Sequence, residues 1–321
     1  MYTISHTSIH IVLTTICNIY SNIIFKFYIE LKFIMCYTCC NIIEREREHE
    51  MAMVISCNTR KGGVGKSSLN YELGAMLSGE KHGYNVLLIS TDGQTDLDLY
   101  VGVDSKDNQY TFLDVLRGKC SIYDSIIKTK YNFDIIRSSK EFSKADREFI
   151  QAEDFYIVKE AIEFVQNDYD FIIFDSSSHR GFINTSILMA ANYVILPAFN
   201  DEGSIDARLE TKSDIDTLKK RGLTRVKILG IVLNRAENTN EHKETDSLLG
   251  LMAETIHCKH FTKIRKAIIL DKAKKHRSPV TRYHKWADIS VDLRRFSNEV
   301  VDAIVEDLEN ENKQSRENQG N

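Results

Sequence analysis

The chemistry-bearing stretch of this chain is Lys61-Gly62-Gly63-Val64-Gly65-Lys66-Ser67, in which two lysines bracket a run of glycines. Glycines let backbone N–H groups turn inward around phosphate oxygens, and a following helix N-terminus adds its partial positive charge. Lys66 is then placed to reach β- and γ-phosphates, and the Ser67 hydroxyl to ligate Mg²⁺. The usual spacing G-x-x-x-x-G-K-[ST] requires glycine at position 60, where this chain has Arg60. The match is to a variant, K-G-G-x-G-K-[ST], and the additional lysine, Lys61, needs a reason of its own. A solvated surface lysine is the plain alternative.

The loop can work only between a strand and a helix, and both are legible. Met53-Val54-Ile55-Ser56-Cys57 is an apolar, β-prone run, and Leu69, Leu73, Met76 and Leu77 recur at helical spacing within 68–77. A second buried strand, Val86-Leu87-Leu88-Ile89-Ser90, runs into Thr91-Asp92-Gly93-Gln94. A third, Phe171-Ile172-Ile173-Phe174, ends in Asp175. Asp175 is in position to hold Mg²⁺, which keeps much of its hydration shell and takes few protein ligands. Carboxylates at strand ends also form turns, and Asp92 could equally be a helix N-cap.

Together these segments resemble the ParA/MinD family of deviant-Walker ATPases, closest to partition proteins. The resemblance extends to Ala190–Pro197 followed by Glu202, Ser204 and Asp206, similar to the family's ADxVIIP strand and loop. It continues through Gly230–Arg235 and 261–280, and covers about 53–304. It implies ATP and Mg²⁺ as ligands, bound through 61–68 (Lys61, Gly62, Gly63, Val64, Gly65, Lys66, Ser67 and Ser68), with Ser67 and Asp175 on the metal. Asp92 would position the attacking water, Asn234 would contact adenine, and Lys61 would cross the interface of an ATP-sandwich homodimer to the partner's nucleotide. Two departures bear on hydrolysis. Ser90 replaces the first aspartate of the family's LLIDxDPQ element, with Gly93 for its proline, and Ser176-Ser177-Ser178 replaces the run after the Walker B aspartate that carries a proline pair. A slow or partner-dependent ATPase with a less rigid switch loop is expected.

At 321 residues, with only two prolines, the chain suits one large domain. Strands apolar throughout, such as 171–174 and 193–196, need cover on both faces. The expected fold is α/β, a doubly wound, mainly parallel sheet flanked by helices. The expected organisation is an atypical extension over 1–50, an ATPase domain over 51–309 and a disordered polar tail over 310–321. The extension holds four of the seven cysteines (Cys17, Cys36, Cys39, Cys40) and ends in the charge block 44–50. A natural start at Met51 or Met53 is the preferred reading. Residues 8–25 are interrupted too often for a clean membrane span, and Cys36-Tyr37-Thr38-Cys39 lacks a second zinc-like ligand pair. The scattered Cys57, Cys120 and Cys258 suit a reducing cytosol.

Net charge is only −4, so overall balance does not point to nucleic acid. Between 259 and 285, however, ten Lys/Arg face one acid, Asp271, a local balance of +9. Such a run is an electrostatic footprint for phosphate backbones, although solvated helix faces also read this way. With the resemblance it implies non-specific DNA binding, with Lys263, Arg265, Lys266, Lys274, Lys275 and Arg277 as candidates, and a centromere-binding, ParB-like partner in a cytoplasmic, nucleoid-associated setting. A MinD-like membrane cycle and a protein-cargo positioning or regulatory ATPase are the alternatives. The last amphipathic stretch has Leu293, Phe296, Val300, Val301, Ile304 and Leu308 on one side. Its later polar face carries Glu299, Asp302, Glu306, Asp307 and Glu309, which anionic lipid repels. Docking on its own domain, with no stable membrane association, is expected.

Overall fold

Five-residue runs of apolar side chains with no polar alternation are stable only as strands covered on both faces, and this requirement organises the molecule. The computed structural model describes residues 51–149, 153–201 and 203–319. Its strands are β1 (Met53–Cys57), β2 (Val86–Ser90), β3 (Ile126–Lys128), β4 (Asp134–Ile136), β5 (Phe171–Asp175), β6 (Tyr193–Ala198), β7 (Lys227–Leu233) and β8 (Lys259–His260). They form one sheet in the order β3-β4-β2-β5-β1-β6-β7-β8. Every pairing is parallel except the edge pair of β3 with β4. The doubly wound, mainly parallel sheet expected from the sequence is therefore present.

The helices are α1 (Lys66–Leu77), α2 (Asp96–Val101), α3 (Phe112–Leu116), α4 (Phe142–Ala145), α5 (Ile157–Glu163), α6 (Phe182–Ala190), α7 (Ser204–Lys220), α8 (Asn240–Thr255), α9 (Ile268–Lys275), α10 (Val280–Tyr283) and α11 (Asp288–Gln319). Successive strand residues point to opposite faces, so Val54, Leu87, Ile89, Ile172 and Phe174 build one core. Ile55, Val86, Leu88, Phe171 and Ile173 build the other. Helix α1 lies close on the second face, because a Cβ on Gly74 would stand only 2.8 Å from Leu88.

Helix α11 closes that second core. Ile289, Leu293, Phe296, Val300 and Ile304 are buried along one stripe, each contributing roughly 1.5–3 kcal/mol. The acids beside the stripe have partners on the body. Asp307 binds Lys227 and the Tyr193 hydroxyl, Glu306 binds Lys259, and Glu299 accepts from the Thr262 backbone and hydroxyl. The helix does dock on its own domain. It also continues through Gln319, where a disordered tail was expected from Asn310 onward. The tail sequence is rich in Glu, Lys, Gln and Arg, all strong helix formers, and Glu311 is tied to Lys227 at 2.7 Å. Among the described residues no helix is long and apolar enough to cross a membrane. The readings made for residues 1–50, including residues 8–25 and Cys36–Cys40, lie outside the described residues.

Candidate phosphate-binding site

In an open parallel sheet, ligands bind beyond the carboxyl ends of the strands where the strand order reverses, and the suspected residues meet at that place. Central strand β1 has β5 on one side and β6 on the other. The register pairs Cys57 with Asp175 and Asp175 with Ser90, so β1, β5 and β2 all end at one level. The glycine loop springs from the first of these ends and Asp92 follows the last.

Within the loop, Gly65 adopts φ +83° as the N-cap of α1, a left-handed conformation that glycine takes without steric cost. Asn234, at the end of β7, braces it from below. Its Nδ2 donates to the Val64 carbonyl at 2.9 Å, and its Oδ1 accepts from the Arg235 N–H at 2.9 Å. The structure thus places Asn234 against the loop backbone, with its amide's donor and acceptor both engaged within the protein. The second amide N–H and the second carbonyl lone pair are left for the expected contact with a purine edge. Arg60, the departure from the usual glycine, turns outward to α7, donating to Asp214 through Nε at 3.0 Å and pairing with Glu210 at 3.0 Å.

Lys66 and Asp175 form the floor. Both are buried, Asp175 completely. Burial lowers the Lys66 pKa, opposed by the negative charges of Asp175 and Asp92. Burial also pushes the Asp175 carboxyl up to about 6, opposed by hydrogen bonding from Ser67 and Asn70 and by the Lys66 charge. Asn70 Nδ2 donates to Asp175 Oδ1 at 2.9 Å, whereas Asp175 Oδ2 is buried with no hydrogen-bond partner. A buried carboxylate oxygen lacking a partner, beside a serine hydroxyl and a lysine, fits a hard divalent cation that takes its other ligands from phosphate and water. Asn70 is a site residue the motif did not announce. Its spacing four after Lys66 puts it on the same helix face, which is the signal that could have found it.

The neighbouring loops hold the remaining candidates. The Asp92 carboxylate accepts from the Gln94 N–H at 3.0 Å, a local turn that fixes its direction. In the segment Ser176–Ser178 the family's prolines are absent, but the Asn184 amide donates to the carbonyls of Ser177 and His179. The Ser176 hydroxyl donates to the Cys57 carbonyl at 3.4 Å. These side-chain hydrogen bonds are the contacts the segment makes where the family has its proline pair. Lys61 reaches across to the loop after β6, where its Nζ pairs with Asp201 Oδ1 at 2.5 Å. Asp201 precedes the residues that the family pattern marks here, of which Ser204 and Asp206 lie on α7 and Glu202 lies outside the described residues.

The basic run of 259–285 is not one free surface. Lys259 pairs with Glu306, Lys263 with Asp246, Arg265 with Asp288 and Asp292, and Lys266 with Glu237. Lys274 is half-buried, 2.5 Å from the Ser68 hydroxyl and 4.5 Å from the Tyr100 ring centroid. Arg277 lies over Gly102, and Lys275 is exposed. Of the six expected DNA-binding side chains, Lys263, Arg265 and Lys266 are therefore paired with acids from segments outside the run, and Lys274 is engaged by Ser68 and Tyr100.

A family model described as an AAA domain matches residues 52–228. The chain is 26% identical over 257 residues to the sporulation initiation inhibitor protein Soj of Bacillus subtilis (strain 168), an alignment taking in 76% of this chain and 98% of Soj. Among solved structures, apo McdA of Cyanothece matches with a TM-score of 0.68 at 20% identity, covering 79% of this chain and 99% of McdA. The septum site-determining protein MinD of Pyrococcus horikoshii OT3, complexed with Mg-ADP, matches with a TM-score of 0.62 at 23% identity, covering 78% and 96%. The two structural likenesses concern the fold.

Proposed function

The chain belongs to the ParA/MinD family of deviant-Walker P-loop ATPases, and from that premise we propose that it is a partition ATPase that binds non-specific DNA as an ATP-closed homodimer. The observation that carries this reading is the pair of lysines at one loop. Lys66 stands on the site floor beside Asp175 and its unpartnered oxygen, and Lys61 stands outside it on an ion pair that can be exchanged. A metabolic phosphate site needs only the first lysine.

In this reading the loop N–H groups and Lys66 hold the β- and γ-phosphates, and Lys61 reaches the partner subunit's nucleotide. Ser67 and Asp175 would hold Mg²⁺, which neutralises charge on the phosphates. Asp92 orients a water whose oxygen attacks the γ-phosphorus as the bond to the β-phosphate oxygen breaks, giving ADP and phosphate. Positioning and electrostatics supply most of such catalysis. Asn234 braces the loop. A ParB-like protein on a centromere-like site would stimulate hydrolysis and release the dimer from nucleoid DNA in the cytoplasm. The burial of the α11 apolar stripe in the protein's own core favours DNA over lipid as the surface on which the dimer cycles.

The test is DNA binding by the full chain in ATP with Mg²⁺, in ADP and without nucleotide, across a salt series. ATP should raise affinity, and affinity should fall steeply with salt through counterion release. No gain with ATP would defeat the partition reading.

A further inference from the structure

Helix α1 begins at the phosphate loop and ends at a second feature. Its 12 residues span about 18 Å. Beyond its C-terminal end lies a cleft of about 380 Å³ whose lining includes Lys81, His82, Arg282, Lys285 and Arg294. Lys81 and His82 both lie on Asn298 Oδ1, at 2.5 and 3.1 Å. Arg282 lies 6.0 Å from the Tyr131 ring centroid, and Lys285 and Arg294 lie over the Trp286 ring, 5.5 and 6.0 Å from its centroid. None of these basic residues forms an ion pair with a described carboxylate, unlike Lys259, Lys263, Arg265 and Lys266. Glu80 is the acid in the lining. Burial lowers the His82 pKa, so the permanent charge comes from the lysines and arginines.

Trp286 is 77% exposed, which leaves a large aromatic surface in water beside two cations. The acids that could have neutralised this end of α11, Asp288 and Asp292, are turned to Arg265. We propose that this cleft, with Trp286 at its edge, is where the sugar–phosphate backbone of duplex DNA docks, in place of the Lys263–Lys266 stretch. The inference rests on the DNA reading proposed above and assigns its surface. A concave cleft lined by cations fits a phosphate ridge, and a partly exposed aromatic can lie against the sugars. A lipid face would instead need a contiguous apolar patch around Trp286, where cations stand.

The sequence contains a single tryptophan, so emission of the full chain excited at the red edge of the absorption band, where tyrosine does not absorb, reports on Trp286. In ATP and Mg²⁺, titration with a random-sequence duplex should change Trp286 emission over the same range in which fluorescence anisotropy of labelled duplex reports binding. Lys285→Glu with Arg294→Glu should weaken binding at least about tenfold and flatten the salt slope by about two units, as expected for two lost phosphate contacts. Lys263→Glu with Lys266→Glu should stay within about threefold of the unsubstituted chain, because those lysines are already paired. Melting curves and ATP binding establish that each variant is folded. DNA binding that leaves Trp286 emission and the Lys285/Arg294 variant unaffected overturns the assignment while sparing the DNA reading. No DNA binding by the unsubstituted chain in any nucleotide state defeats both. A blue shift with anionic phosphatidylserine vesicles but none with DNA would replace DNA by a membrane surface.

Discussion

Lys61 Nζ lies 2.5 Å from Asp201 Oδ1 within one protomer. A lysine proposed to serve the partner's nucleotide is thus held at home by a carboxylate of its own chain, and closing the dimer must break that pair. The two side chains are 31% and 33% exposed, so the pair is worth about 0.2–1 kcal/mol. One such pair is broken in each protomer, so Asp201→Asn should strengthen ATP-dependent dimerisation by about 2- to 30-fold, measured by sedimentation velocity. Arg208 is buried, and the Asp201 charge offsets part of that burial, so a melting curve must accompany the measurement. A dimer no tighter than that of the unsubstituted chain would remove Asp201 as the competitor.

Gly65→Ala should abolish tight ATP binding. The position has φ +83°, which costs a non-glycine residue about 1–2 kcal/mol, and an added Cβ would collide with the Asn234 amide. Asn234 must then release the Val64 carbonyl and the loop loses its brace. Titration calorimetry with ATP checks this; unaltered affinity would mean that the brace is dispensable.

Asp92 has two separable features, a carboxylate charge that acts on Lys66 and Asp175 and a turn made with the Gln94 N–H. Asparagine keeps the turn's acceptor but not the charge. If Asp92 positions the attacking water, Asp92→Asn and Asp92→Ala should both lose about 10²–10⁴ in hydrolysis rate while still binding ATP, and both should dimerise persistently. Full activity in Asp92→Asn would assign the residue to the turn alone. Phosphate release under single-turnover conditions distinguishes the two.

Glu72, on α1, is buried and accepts from the Val280 N–H at 2.8 Å, capping α10. Burial pushes its carboxyl from the ordinary 4.5 up to about 7, against hydrogen bonds from Val280 and Thr281 and the charge of Lys274. Because the folded value lies above the unfolded one, the folded state binds the extra proton between these values. The stabilisation is fully present below about 4.5 and is lost as pH rises through about 7. Its size is on the order of 1–3 kcal/mol. Melting temperature should fall between pH 5 and 8, and less steeply in Glu72→Gln. Asp98, also pushed up to about 7 mainly by burial, should leave a residual slope of the same sign. Equal slopes in the two proteins would show that Glu72 does not titrate in this window.

The sequence by itself determined the strand, the glycine loop, the helix and the acidic strand ends, because that chemistry is local. A phosphate loop is a contiguous stretch, and burial on both faces leaves a one-dimensional mark in runs such as Phe171–Phe174. The register that sets Cys57, Asp175 and Ser90 level could be expected only as a property of the fold. Tertiary structure alone decided what each charge does. The excess counted over 259–285 ignored Glu237, Asp246, Asp288, Asp292 and Glu306, which lie outside that run and pair with Lys259, Lys263, Arg265 and Lys266. The same holds for Lys61 with Asp201 and for Asn234 beneath Gly65, pairs separated by more than a hundred positions. Electrostatic and hydrogen-bonding partners are chosen by distance in space, and a chain that crosses its sheet repeatedly brings together residues whose spacing in sequence carries no sign of it.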